Sequence, residues 1–193
     1  NASQIRGYVE VAGQRAEVII ANPAGIAVNG GGFINASAVT LTTGTPVFNT
    51  GNLESFQVRS GSVVVDGDGL DTRTADYTNI LARATQINAG IWAQDLKVVS
   101  GANNISASHA ANPIATPGAG TGTGTAPAFA LDVAALGGMY AQKITLVGTE
   151  SGLGVRNSGV IGATAGDVTV NSQGWLTNSG TVSAVGSTRI QTA

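Results

Sequence analysis

Short runs of apolar and β-branched residues, broken every few positions by Gly, Asn or Asp, fill the first half of the chain. They occupy residues 7–11, 16–21, 25–28, 32–34, 38–42, 56–58, 62–65, 86–87 and 96–99, and runs of this length bounded by turn residues predict strands. Residues 76–84 alone have a helical look; the piece is short and is read as a strand leading into residues 86–90. The pattern also repeats. Gly90-Ile91-Trp92-Ala93-Gln94 and Gly138-Met139-Tyr140-Ala141-Gln142 match 48 residues apart, each followed by a β-branched run. Further on, Asn157-Ser158-Gly159 returns as Asn178-Ser179-Gly180, and residues 167–170 align with residues 188–191, both at a spacing of 21. A period near 20 with short strands marks a stacked solenoid, and parallel strands joined by crossovers turn right-handed. The expected fold is therefore all-β, a right-handed parallel β-helix forming a single domain over residues 1–193. Roughly eight coils would make a rod on the order of 40 Å long. Nothing before Ile5 reads as a cap, so the first rung is expected to be exposed.

One stretch interrupts the rungs. Residues 110–131 carry no charge until Asp132, and Pro113, Pro117, Pro127 and the Thr-Gly alternation at 120–125 disfavour a regular element, so a long inserted loop is expected there. Subtracting it from the spacing of 48 leaves about one coil, which places Trp92 and Tyr140 on adjacent rungs.

Composition agrees with a thin-cored coil. Of 193 residues 28 are glycine, 10% are charged and 5% aromatic; a chain that turns three times per rung needs residues tolerant of positive φ. The net charge is −2 with nine basic residues spread along the chain, so no basic stripe exists to follow a phosphate backbone and nucleic acid is not an expected partner. No run approaches the roughly 18 apolar residues of a spanning helix, so no stable membrane insertion is expected. Cysteine is absent, which removes disulfides and thiolate metal sites. The start at Asn1, without Met or a signal peptide, reads as a mature product or a fragment.

Candidate chemistry is sparse. His109 stands alone beside the uncharged segment, without an acidic or nucleophilic neighbour nearer than Ser108. Asp66-Gly67-Asp68-Gly69-Leu70-Asp71 is the densest carboxylate group, but an EF-hand would need Gly where Asp71 stands and Glu where Tyr77 stands, so it reads as a turn between rungs. Glu10 and Glu17, with Arg15 close by, are the nearest approach to the convergent acids of a polysaccharide-degrading β-helix enzyme. Trp92, Trp175, Tyr8 and Tyr140 offer a sugar-stacking platform, with Trp92 and Tyr140 as the candidate surface-contact pair; stacked like residues also simply cover solenoid rungs. No catalytic residue, metal or cofactor is expected.

The most distinctive segment is Asn22-Pro23-Ala24-Gly25-Ile26, followed by Asn29-Gly30-Gly31-Gly32-Phe33-Ile34-Asn35. From the residues alone it is a turn between apolar strands, with Pro23 fixing φ and Gly25 free to take φ > 0. It resembles the Asn-Pro-Asn-Gly-Ile and Asn-Gly-Gly-Gly-Phe-Ile-Asn motifs of the two-partner secretion domain in filamentous haemagglutinins and contact-dependent growth inhibition proteins. Likeness continues through residues 41–44, 99–103, 138–140, 144–147 and 151–156. Two departures stand out: the family's upstream Asn-Pro-Asn-Leu motif is missing, so the chain resembles the later part of the domain, and Ala24 replaces an Asn. The resemblance implies a non-enzymatic secretion and scaffold module, residues 1–150, followed by haemagglutinin-type repeats of about 21 residues over 151–193. It implies recognition by the periplasmic domains of a TpsB-type outer-membrane β-barrel transporter and folding on export. The product would be secreted or displayed on a Gram-negative cell surface as an adhesin or inhibition protein, facing a host or bacterial receptor. A carbohydrate-binding module and, behind it, a β-helix enzyme are the alternatives.

Overall fold

The computed structural model describes residues 1–107 and 120–193, with the backbone of a short strand at Ala115–Thr116 between them. His109 and the first part of the expected loop lie outside the described residues.

Three strand faces wind around one apolar interior. The third face fixes the number of rungs: Ala16–Ala21, Ala36–Thr42, Tyr77–Ala82, Asp95–Ser100, Lys143–Gly148, Val168–Ser172 and Thr188–Thr192 pair in parallel in that order. Among the described residues there are thus seven rungs rather than eight, about 30 Å from first to last at the usual strand spacing. Within residues 76–84 the strand is Tyr77–Ala82, and Ala84 opens the next one, Ala84–Ile87, so no helix forms there. The first face runs from Ser3–Ile5 through Ala84–Ile87 to Leu176–Asn178, and the second from Tyr8–Glu10 through Gly90–Trp92 to Thr181–Ala184.

In the second and third rungs a single long strand serves both of these faces: Ile26–Ile34 and Ser62–Asp71. They turn the corner at Gly30 (φ 74°), Gly67 (φ 56°) and Gly69 (φ 76°), conformations that L side chains seldom take. Asp66–Asp71 is therefore a bend inside a strand, not a turn between rungs. Its Asp66 carboxylate accepts a 2.7 Å bond from Asn88 Nδ2 on the next rung.

The interior is a set of ladders. Ile26, Val63, Thr85, Leu131, Val155 and Leu176 follow one another along the first face, and Leu70, Ile91, Met139, Ile161 and Val182 along the second. Stacking equal positions lets each rung bury the face of the last. The Asn-Ser-Gly repeat has the same logic: Asn157 and Asn178 are in register, Asn157 Nδ2 donates to Asn178 Oδ1 at 2.7 Å, and Asn157 Oδ1 receives the Gly159 amide at 3.2 Å.

Register departs from the 21-residue reading on the third face. Val168 pairs with Thr188 and Val170 with Ile190, a spacing of 20, whereas the first and second faces keep 21. A one-residue slip inverts every side chain, and the observed register keeps Ile190 on the inward row with Val170.

Two excursions leave the helix at the corner between third and first faces. Thr45–Asn49 and Asn52–Val58 leave after the second rung, Asn103–Ser106 and Ala115–Thr116 after the fourth, and the four form an antiparallel sheet. Residues 56–58, expected as a rung strand, belong to this sheet. It lies against the outward side of the third face, where Leu81 and Val99 meet Phe56, Val58 and Ile105 in a second apolar cluster. Outward Thr40, Thr42 and Asn79 are consequently buried. Residues 120–130 contain no strand, as expected for an inserted loop, and rung structure resumes at Leu131–Val133.

Candidate functional site at the rung corner and the aromatic face

The motif Asn22-Pro23-Ala24-Gly25-Ile26 makes the first turn at that same corner, joining rung one to rung two. The Gly25 amide donates to Asn22 O at 2.9 Å, closing a β-turn with Pro23 in its second position, and Gly25 itself takes φ 117°. Asn22 ties the turn to rung one: its Nδ2 donates to Asn1 O at 3.0 Å and to Ser3 Oγ at 2.9 Å, while its Oδ1 accepts the Ala24 amide at 2.9 Å. The turn is closed without a hydrogen-bonding side chain at position 24. Rung three packs directly against it: Ser60 Oγ donates to Pro23 O, and any Cβ on Gly61 would stand 2.6 Å from that oxygen. Pro23 and Ala24 are exposed, and Ile26 is the first fully buried residue of rung two.

Farther along the corner, two arginines hold the excursions. Arg59 Nη1 donates to Val58 O and Asn103 O, bridging both. Arg83, only 6% exposed, donates to Glu150 through Nη2 at 2.8 Å and Nε at 3.2 Å, and through Nη1 to Thr123 O at 2.8 Å. Glu150 also accepts the Ala102 amide at 3.0 Å. The Arg83 guanidinium holds the Glu150 carboxyl below its ordinary range.

The second face carries the expected aromatic pair. Trp92 and Tyr140 are partners on adjacent rungs, their rings 6.3 Å apart and inclined by 16°, at 36% and 37% exposure. The outward column through them reads Tyr8, Gly32, Asp71, Trp92, Tyr140, Gly162 and Ser183 from the first rung to the last. Each ring lies across glycine: Tyr8 on Gly32, Trp92 on Gly90 and Gly69, Tyr140 on Gly138, where a Cβ would collide with it. Trp175 is not part of this row. It meets Phe129 edge-on at 5.5 Å, and Arg156 stacks on the Phe129 ring at 4.1 Å.

The acids do not converge. Arg15 turns away from Glu10 and Glu17 to make a two-pronged pair with Asp76 (2.9 and 3.0 Å). Asp132 takes Arg156, and Asp71 takes Arg73, which lowers the Asp71 pKa. Among the described residues no three potential ligands approach closely enough to hold a metal ion. Burial, with Glu17 and Asp76 nearby, pushes the Tyr77 hydroxyl up to about 12.

A coil of seven rungs with a motif-bearing first turn and two excursions packed on one face defines a β-helical secretion domain of exported proteins. Residues 1–178 match the family model of the TPS secretion domain, and the chain belongs to that family. It is 50% identical over 183 residues to the toxin CdiA of Yersinia pestis, 48% over 186 to the tRNA nuclease CdiA-2 of Burkholderia pseudomallei, and 46% over 194 to the 16S rRNA endonuclease CdiA of Enterobacter cloacae. These alignments take in 94%, 95% and 100% of the chain but only 5%, 6% and 6% of the relatives. Among solved structures, the filamentous hemagglutinin secretion domain matches with a TM-score of 0.80 and 33% identity, over 99% of this chain and 72% of that one. Two-partner secretion domains of this kind belong to secreted and cell-surface proteins of Gram-negative bacteria, and the family implies a TpsB-type transporter as partner.

Proposed function

We propose that the chain is a non-enzymatic secretion and folding module, recognised through the transporter's periplasmic domains, and that Asn22, Pro23, Gly25 and Ile26 form the nucleus of folding as it emerges. The observation that carries this reading is the Asn22 side chain, which reaches rung one and closes the turn into rung two. Each rung is templated by the one before it, so a turn that binds one rung to the next sets the register for those that follow. In the folded state Asn22 is occupied by these bonds and Ile26 is buried, so the motif's part in recognition belongs to the unfolded chain. Residues 1–150 would serve secretion, and 151–193 would begin the haemagglutinin-type stack. Ion pairing of Asp71, Asp76, Asp132 and Glu150 supports a scaffold over an enzyme. A receptor on a host or bacterial cell would be met by the parent protein.

The test is export of the full parent protein in cells carrying its transporter. Asn22→Ala and Gly25→Ala should lower the amount reaching the medium severalfold, while Gln57→Ala, an exposed change in the antiparallel sheet, should not. Unchanged export of both motif variants would overturn the reading.

A further inference from the structure

We propose that the second face binds an uncharged oligosaccharide, laid along the helix axis from Tyr8 past the Asp71–Arg73 pair to Trp92 and Tyr140. The proposal is independent of the secretion reading, because it concerns the folded coil after export.

Two open clefts lie side by side on this face, about 490 and 390 Å³, and both are walled by Tyr8, Asp71 and Arg73; the second also reaches Asp68 and Trp92. These volumes fall in the range of small-ligand sites. Gly32, the outward residue of the row at rung two, adds no side chain of its own and lies under the Tyr8 ring, so a flat ligand would run over that ring and on past Asp71 to Trp92 on rung four. Aromatic faces carry negative quadrupole potential and attract the C–H faces of pyranose rings. The rings also cover glycine backbone, a sufficient reason for Trp92 and Tyr140. Tyr8 covers Gly32 in the same way, and in addition it walls both clefts.

Polar groups sit where sugar hydroxyls would need them. Arg73 is held as a fork on Asp71 through Nε at 3.0 Å and Nη2 at 2.6 Å, fixing a guanidinium whose five N–H donors outnumber those bonds. Asp68 adds acceptors on the other wall. Two carboxylates against one guanidinium leave the cleft with an excess negative charge, which disfavours sulfated or uronic saccharides.

Trp175→Phe leaves Trp92 as the sole tryptophan, and in that background the chain would be titrated with maltohexaose, cellohexaose and chitohexaose while Trp92 fluorescence is read. At least one should give a saturable change. Tyr8→Ala and Arg73→Gln, both exposed and checked for an unchanged circular dichroism spectrum, should each weaken it by about tenfold, the size of one stacking or charge-assisted contact. Heparin should not compete. No saturable change with any of the three, undiminished binding by both variants, or displacement by heparin would each overturn the proposal.

Discussion

Removing the Glu150 carboxylate should loosen the corner at which the second excursion leaves the helix. Glu150→Ala deletes both acceptors of Arg83 and the acceptor of the Ala102 amide, leaving a guanidinium at 6% exposure with Thr123 O. Breaking a buried ion pair from one side costs about 3 to 5 kcal/mol, and the surviving Thr123 bond argues for the lower end, about 3 kcal/mol. For a chain of this size that is about 6 to 12 °C in Tm. The loss should also be local, since a solenoid's stability is a sum over neighbouring rungs. Thermal melts followed by circular dichroism give the magnitude, and hydrogen exchange at Ala102 and Thr123 gives the place. The double variant Arg83→Met with Glu150→Ala should recover much of the loss, because no charge is then left buried. A melt within about 1 °C of the parent, or a double variant as damaged as the sum of the singles, would refute the reasoning.

Acid should reproduce the same effect. The folded chain keeps Glu150 ionised below the pH at which the unfolded chain protonates, so its contribution is complete above the ordinary value of 4.5 and fades as pH falls through the lower folded value. Protection of the Ala102 amide should fade over that acid range, and in Glu150→Ala it should not. Spectrophotometric titration should find Tyr77 ionising only near 12. Its retained proton stabilises the fold fully below pH 10 and progressively less as pH rises through that value. Phe56→Ala should cost about 3 to 5 kcal/mol, the usual loss for a buried aromatic; exchange should quicken in Asn52–Val58 and Asn103–Ser106 while the interior ladders stay protected. Gly25→Ala, at φ 117° with its Cβ 3.1 Å from Ser62 O, should lose at least about 1 kcal/mol in the same melts.

What the sequence by itself determined was whatever repeats locally. The Ala-Gln copies at 93 and 141 placed Trp92 and Tyr140 on adjacent rungs, and their facing rings follow from that register. The Asn-Ser-Gly copies located the asparagine ladder, and Asn22-Pro23-Ala24-Gly25 read as a turn because Pro and Gly act through their own backbone angles. Three features were beyond that reading. Alternating apolar residues at 56–58 do not say whether their partner runs parallel or antiparallel, and the partner, Asn103–Ser106, lies dozens of positions away. Gly and Asp at 66–71 mark a bend equally well inside a strand or between strands. The 20-residue register of the last rung was decided by which side of Ile190 faces inward, not by matching letters. The bonds of Asn22 to Asn1 and Ser3, the Arg83–Glu150 lock and the column from Tyr8 to Tyr140 come only from the winding of the coil. Rungs about 4.8 Å apart bring together residues far apart in the chain, and which of them meet depends on how many residues each corner consumes.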